Sequence, residues 1–394
     1  MKIGFFTDTY LPVGYGIQIS VETFRKMLEK LGHEVYIYTP YVPGYKDVIK
    51  HVFRFNSFRI IKNPEMRLAL PIAHNGELRK ALNFKLDIIH VQTPFTMGFL
   101  GKYISKHQGI PMVYTHHTAY PDYAKVYLKE KYIIPEMAKW ISKLFGNWAD
   151  GVIAPSIKIE RTLREYGVKK PIHILPTGVD LDYFKIDANS RSMAMALRES
   201  WGIGPGDKVL LSLCRIDKAK NLGFIAESFP HVLKKNPNAK LVFVGDGQYL
   251  KELKKMVKNL GIDKNIIFAG FIDDNHKAAY YQAADTFLFA SHTETQGIVI
   301  LEAMVSGLPI VALQDDSFKG QVRDGYNGYL VDSRSSPETF ARNIVKLLGD
   351  EPKKVREFGK NSIEIAKDYS ERHQAEKLIA IYEGLIAARK KKSE

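Results

Sequence analysis

A single cysteine, Cys214, in 394 residues excludes an intrachain disulfide and every metal motif built on paired cysteines. It lies in the apolar run VLLSLC, where a buried structural thiol is expected, and cysteine this scarce fits a reducing compartment. No apolar run approaches the roughly 18 residues of a membrane span. The N-terminal MKIGFFTDTY meets Asp8 too early for a secretory leader and reads as a first strand, so a cytoplasmic location is expected. Acidic residues are in deficit, 43 against 57 Lys and Arg, giving a formal net charge of +14. Such a balance attracts polyanions: nucleic acid, anionic lipid or phosphorylated small molecules. Walker A, G-x-S-x-G, G-x-G-x-x-G and HExxH strings are all missing, against P-loop, α/β-hydrolase, simple dinucleotide and zincin chemistry. Nor is there an RNP-like string, a helix-turn-helix signal or a long Arg-rich run, so no nucleic-acid partner is expected.

What is present is alternation. Short apolar runs separated by segments of helical period predict βα units on parallel sheets covered on both faces. KIGFFTD, a helix over ISVETFRKMLEKLG stopped by Gly32, and EVYIYTP form the first unit; LDIIHVQT, PMVYTH, GVIAPS and PIHILP supply later strands. PTGVDLDYFKIDANSRS then loses apolar period. The pattern restarts with KVLLSLC, KLVFVGDG, NIIFAGF, DTFLFAS and LPIVAL. The fold class is therefore α/β, with doubly wound Rossmann-like domains over 1–180 and 181–370. A C-terminal helix and basic tail over 371–394 is expected to pack back on the first domain. In such sheets ligands sit beyond the carboxyl ends of the strands, so functional residues should follow strands closely.

One segment is far more specific than the rest. SHTETQGIVILEAMVSGLPIVA places Glu294 and Glu302 with seven residues between them, around Gly297. A helix starting near Gln296 or Gly297 offers unpaired amides to an anion, and Gly297 lets a ligand approach. Glu302 falls in its first two turns, where a carboxylate can accept from vicinal hydroxyls. The segment resembles the Glu-seven-Glu motif of the family 4 glycosyltransferases, retaining enzymes of the GT-B fold with two domains facing a central cleft. That resemblance implies donor-ribose binding by Glu302, Glu294 beside the transferred sugar, and contacts from Gly297 and Ile298. Arg215 and Lys220, five apart in CRIDKAKN, match the family's pair on the donor diphosphate and could balance charge on the departing nucleoside diphosphate.

Weaker segments fit the same template: VGDG with Gly245, AGF with Gly270 and Phe271 near the nucleobase, and GYNGYLVD. YLPVGYGIQIS resembles the glycine loop, with Gly16 approaching the donor, although Tyr15-Gly16 replaces the commoner Asn-Gly. In VYTHHTAYPDY, His117 takes the family position near the transferred sugar, and His116 is read as structural. Adjacent histidines on a strand point to opposite faces, and the pairs Asp273-Asp274 and Asp315-Asp316 lack Asp-x-Asp spacing, so no metal is expected. No cofactor is implied beyond the nucleotide sugar as substrate.

Across nearly the whole chain, strings such as FTDTYLP, VFRFNSF, IIHVQTPFTMG, THHTAYPDY and TETQGIVILEAM are most similar to bacterial 1,2-diacylglycerol 3-glucosyltransferases. The resemblance implies transfer of a hexose, glucose from UDP-glucose, to a lipid acceptor. HVFRFNSFRIIKNPEMR and KVYLKEKYIIPEMAKWISKLFGNW are basic and aromatic, as a surface meeting anionic lipid would be, although core packing of residues 125–148 explains the second equally well. Retaining chemistry of this kind needs no carboxylate pair of the glycosidase sort. A soluble sugar acceptor and a nonhydrolysing nucleotide-sugar epimerase remain alternatives.

Overall fold

A computed structural model describes residues 1–12, 16–60, 63–70, 76–119, 133–204 and 206–393. The expected loop residue Tyr15, the YPDY segment and residues 125–132 lie outside the described residues. The chain forms two compact units: Met1–Gly178 with Glu371–Glu394, and Val179–Ser370. Sequence punctuation placed the change at 180/181.

The first unit is built on seven parallel strands, β1 (Lys2–Phe6), β2 (Glu34–Pro40), β3 (Val52–Phe55), β6 (Ile88–Val91), β7 (Met112–Thr115), β8 (Gly151–Ala154) and β9 (Ile172–Ile174). Their order is β3-β2-β1-β6-β7-β8-β9. β4 (Ser57–Ile60) and β5 (Asn63–Ala69) form a separate antiparallel pair. Both faces of the sheet are buried, which is why its strands read as continuous apolar runs. Phe6, Tyr38, Ile89, Val91 and Tyr114 line one face, against the Ile133–Trp148 helix through Phe145. Ile3, Phe5, Ile37, Ile88 and Val113 line the other, against Val21, Phe24 and Leu28 of the Gly16–Lys30 helix. The Glu371–Ser393 helix joins this second face through the fully buried Leu378 and Tyr382.

The second unit carries six parallel strands, β10 (Val209–Leu213), β11 (Lys240–Val244), β12 (Ile266–Gly270), β13 (Thr286–Phe289), β14 (Ile310–Leu313) and β15 (Gly328–Val331), in the order β12-β11-β10-β13-β14-β15. Its two faces are likewise apolar: Leu210, Phe243, Leu288 and Val311 on one, Leu211, Val242, Phe287 and Ile310 on the other. In each sheet the winding reverses beside the first strand, between β1 and β6 and between β10 and β13. Those are the switch points where loops diverge and leave a crevice beyond the carboxyl ends.

Some local expectations change. HVFRFNSFRIIKNPEMR is a sheet-edge strand plus a hairpin rather than one surface stretch: Phe55 is fully buried and Phe53 stacks on Tyr38 with ring centroids 5.0 Å apart. Pro135 sits in the first turn of the Ile133–Trp148 helix, where a missing N–H costs nothing. Cys214 is half-buried rather than fully buried, with burial pushing its thiol up to about 12.

Candidate functional site

The carboxyl ends of β10 and β13 hold the residues that spacing singled out. After β10 the chain makes a single tight turn, Lys218–Lys220, and Asn221 takes a left-handed conformation at φ 54° before the Leu222–Leu233 helix. Asn221 Nδ2 donates to the Ala290 carbonyl at 3.2 Å, and Ser291 Oγ and Thr293 Oγ1 donate to the Ala219 carbonyl at 3.3 and 3.2 Å. The two loops are thus stitched together, and the stitching sets Lys220 Nζ 2.5 Å from Glu294 Oε1. Burial opposes the ammonium charge, yet the Glu294 carboxylate holds the Lys220 pKa above the ordinary lysine value. A cation is therefore fixed at the switch point at neutral pH. Arg215, beside it, pairs with the buried Asp217 and keeps its side chain 42% exposed, open to an incoming anion.

Gly297 ends the β13 loop at φ 74° and starts the Ile298–Val305 helix, so its need for glycine is conformational. Glu302, in that helix, is buried. Lys277 Nζ lies 2.7 Å from its Oε1, and Tyr281 O–H donates to its Oε2 at 2.6 Å. Burial, then the Glu302 carboxylate, raises the Tyr281 pKa well above its usual value, so Tyr281 stays a hydrogen-bond donor. Sequence reasoning missed Lys277 and Tyr281, which carry no motif; only the fold brings the Lys277–Gln282 helix against Glu302.

The glycine-rich segments divide. A Cβ on Gly245 would stand 2.0 Å from the Cys214 carbonyl, and one on Gly247 2.4 Å from that of Ile216, so VGDG is glycine-rich to let β11 pass the β10 loop. Gly328 abuts the Ile310 carbonyl in the same way, and Asn327 is consumed by Gln321 and Arg323, which makes GYNGYLVD a turn feeding β15. Gly270, at φ 76° with open space around it, ends β12, and the next residue, Phe271, is 82% exposed.

In the first unit the switch point gathers different chemistry. Asp8, beyond β1, accepts from Thr93 Oγ1 at 2.6 Å, Thr96 Oγ1 at 2.5 Å and the Met97 amide at 3.1 Å, capping the Thr96–Gln108 helix. Burial outweighs these donors and raises its pKa to about 6. His117, beyond β7, lies with Nε2 2.6 Å from Gln92 Oε1, beyond β6. Burial pushes His117 down to about 4, so its imidazole is neutral near pH 7. His116 is fully buried, with Nδ1 2.9 Å from Tyr114 O–H. Gly16 opens the Gly16–Lys30 helix with open space at its Cβ position. Asp8 and Gln92 escaped sequence reasoning, though both follow strands, where the carboxyl-end rule directs attention.

Among the described residues no three His, Cys, Asp or Glu side chains cluster as metal ligands would. Asp273 and Asp315 accept from the amides of Asn275 and Ser317, as turn caps. No helix among the described residues is long and apolar enough to cross a membrane.

The arrangement has relatives. Residues 15–183 match the family described as Glycosyltransferase Family 4, and residues 195–365 match Glycosyl transferases group 1. The chain is 38% identical over 337 residues to the alpha-monoglucosyldiacylglycerol synthase of Streptococcus pneumoniae, covering 84% of this chain and 75% of that protein. It is 32% identical over 400 residues to the enzyme of the same name from Acholeplasma laidlawii, covering 100% and 99%. Among solved structures, Anabaena HepE in complex with UDP and glucose superposes with TM-score 0.78 at 19% identity, over 98% of this chain and 100% of that one. Sucrose-phosphate synthase from Thermosynechococcus elongatus does so with TM-score 0.77 at 22% identity, over 98% and 99%. With two Rossmann-like units of GT-B type, and 38% and 32% identity to relatives matched over 84% and 100% of its length, the chain belongs to the family 4 glycosyltransferases, transferases that use a nucleotide sugar.

Proposed function

We propose that the protein transfers glucose from UDP-glucose to 1,2-diacylglycerol with retention of anomeric configuration, as a peripheral enzyme on the cytoplasmic face of a membrane. One observation carries the lipid acceptor: end-to-end identity with the Acholeplasma laidlawii alpha-monoglucosyldiacylglycerol synthase, 32% over the whole chain.

The residues suit the chemistry. Arg215, Lys220 and the amides at the start of the Ile298–Val305 helix take the diphosphate, and their positive charge offsets the charge that grows on the leaving nucleoside diphosphate. Lys220, held by Glu294 before substrate arrives, needs little reorganisation to meet it. Glu302, fixed by Lys277 and Tyr281, accepts from the ribose hydroxyls, with Phe271 beside the base. Glu294 orients the sugar, and the family resemblance assigns His117 and Gly16 to the sugar as well. The acceptor hydroxyl attacks on the face from which the diphosphate departs, and a departing phosphate oxygen takes its proton, so neither a metal nor an enzymatic base is required.

The test is an assay of UDP-glucose with dioleoylglycerol in vesicles, with and without EDTA, and product analysis by NMR. Expected are an α-linked glucosyl lipid, insensitivity to EDTA, and a loss of roughly 10²–10³-fold in turnover for Lys220→Met with the fold retained. Efficient glucosylation of a soluble sugar with no lipid product would replace diacylglycerol by a soluble acceptor. Turnover abolished by EDTA and restored by Mg²⁺ would overturn the metal-free mechanism.

A further inference from the structure

Gln92 has a feature that its contact with His117 does not use. Its side chain is buried, its own amide donates to the Phe6 carbonyl at 2.8 Å, and its Oε1 meets His117 Nε2 at 2.6 Å. The side-chain nitrogen Nε2 is also buried and has no hydrogen-bond partner among the described residues. Two amide hydrogens without an acceptor cost their full desolvation free energy, a cost natural folds retain where a ligand later supplies the acceptor. The position fits, because Gln92 follows β6 at the switch point of its sheet. The neutral His117 carries one ring proton, and contact with a carbonyl oxygen requires that proton on Nε2. Nδ1 is then left as an acceptor, so the pair presents two donor hydrogens and one acceptor nitrogen, a pattern suited to hydroxyl groups rather than to phosphate.

We infer that Gln92 is a substrate-binding and positioning residue: its Nε2 amide donates to a hydroxyl oxygen of the transferred hexosyl group or of the accepting alcohol, while its Oε1 fixes the His117 tautomer. This rests on the proposed placement of His117 beside the sugar. Gln92→Met removes both functions at similar volume; Gln92→Glu keeps the acceptor toward His117 and removes the donors.

The experiment compares full-length wild type and both variants for kcat, KM for UDP-glucose, KM for dioleoylglycerol, melting temperature and the ¹⁵N shifts of His117. Expected in Gln92→Met are a melting temperature no lower than wild type, a kcat/KM reduced by roughly 10–100-fold, and loss of the fixed Nε2–H tautomer. Gln92→Glu should lose comparable activity while its His117 Nε2 still bears a proton. A rise in KM for UDP-glucose assigns the contact to the transferred sugar; a rise in KM for dioleoylglycerol assigns it to the acceptor. Gln92→Met with both kcat/KM values within twofold of wild type, or with activity lost only in step with melting, overturns the inference. If the wild type glucosylates no lipid, the acceptor assignment has failed instead. UDP-glucose hydrolysis and the His117 shifts, which need no lipid, then decide the role of Gln92 by the same criteria.

Discussion

Asp8 shows how much a single residue at a strand end can hold. Its carboxyl joins β1 to the Thr96–Gln108 helix through two threonine hydroxyls and an amide, yet burial raises its pKa from 3.8 to about 6. Below 3.8 it is protonated in folded and unfolded chains alike. Between 3.8 and about 6 the folded chain binds more protons, so the contribution of Asp8 to stability falls as pH rises through that window and is level above it. Relative to Asp8→Asn, which cannot ionise, urea unfolding should show wild-type stability dropping by about 3 kcal/mol from acid to neutral pH. Wild-type stability that instead rises with pH relative to the variant would mean that the folded pKa lies below 3.8, the carboxylate acting as a charged helix cap. Nothing in FFTDTYLP announces this role. Residues whose work depends on a partner 85 positions away are invisible to spacing, whereas Glu294 and Glu302 were legible because the motif spans nine consecutive residues and overlaps the helix it opens.

At the scale of elements, the Ile133–Trp148 helix resolves the choice between core and surface by doing both. Phe145 and Ser142 are buried on one side, while Ile133, Met137 and Trp140 on the other are 70, 63 and 61% exposed, flanked by Lys139 and the exposed Lys143. Apolar side chains at i, i+4 and i+7 beside lysines suit shallow insertion into a headgroup region. Lys139→Glu with Lys143→Glu, and separately Trp140→Ser, should weaken co-sedimentation with anionic vesicles, and salt should weaken the wild type over a screening length of roughly 8 Å. Binding unchanged in both variants would place the lipid contact elsewhere. The strands first overlooked, β3, the β4–β5 pair and β15, share a cause. Their sequences alternate apolar with Arg or are opened by Gly-rich turns, and their strand state comes from pairing with a neighbour rather than from local apolar density.

Across the whole molecule, the Glu371–Ser393 helix, last in the chain, belongs to the first unit. Tyr382 O–H reaches His90 Nδ1 at 2.6 Å, and His90 Nε2 reaches Thr115 Oγ1 at 2.5 Å, so the helix is keyed to β6 and β7. Leu378→Ala should cost about 2–5 kcal/mol of the first unit's stability. Hydrogen exchange should then accelerate in Met1–Gly178 while β10–β15 keep their protection; uniform acceleration would mean that the units unfold together. The amino-acid sequence by itself determined the two α/β units, most of their strands, the βα order and the family, because buried parallel strands need uninterrupted apolar runs and a strand-end motif is local. Only the tertiary structure decided that Lys220 lies against Glu294, that Lys277 and Tyr281 hold Glu302, that VGDG is glycine-rich for backbone clearance, and that Gln92 faces His117 with its amide nitrogen unused. Those facts depend on which strands lie side by side, and hydrogen bonding between backbones distant in the chain fixes that order without leaving a trace in either segment alone.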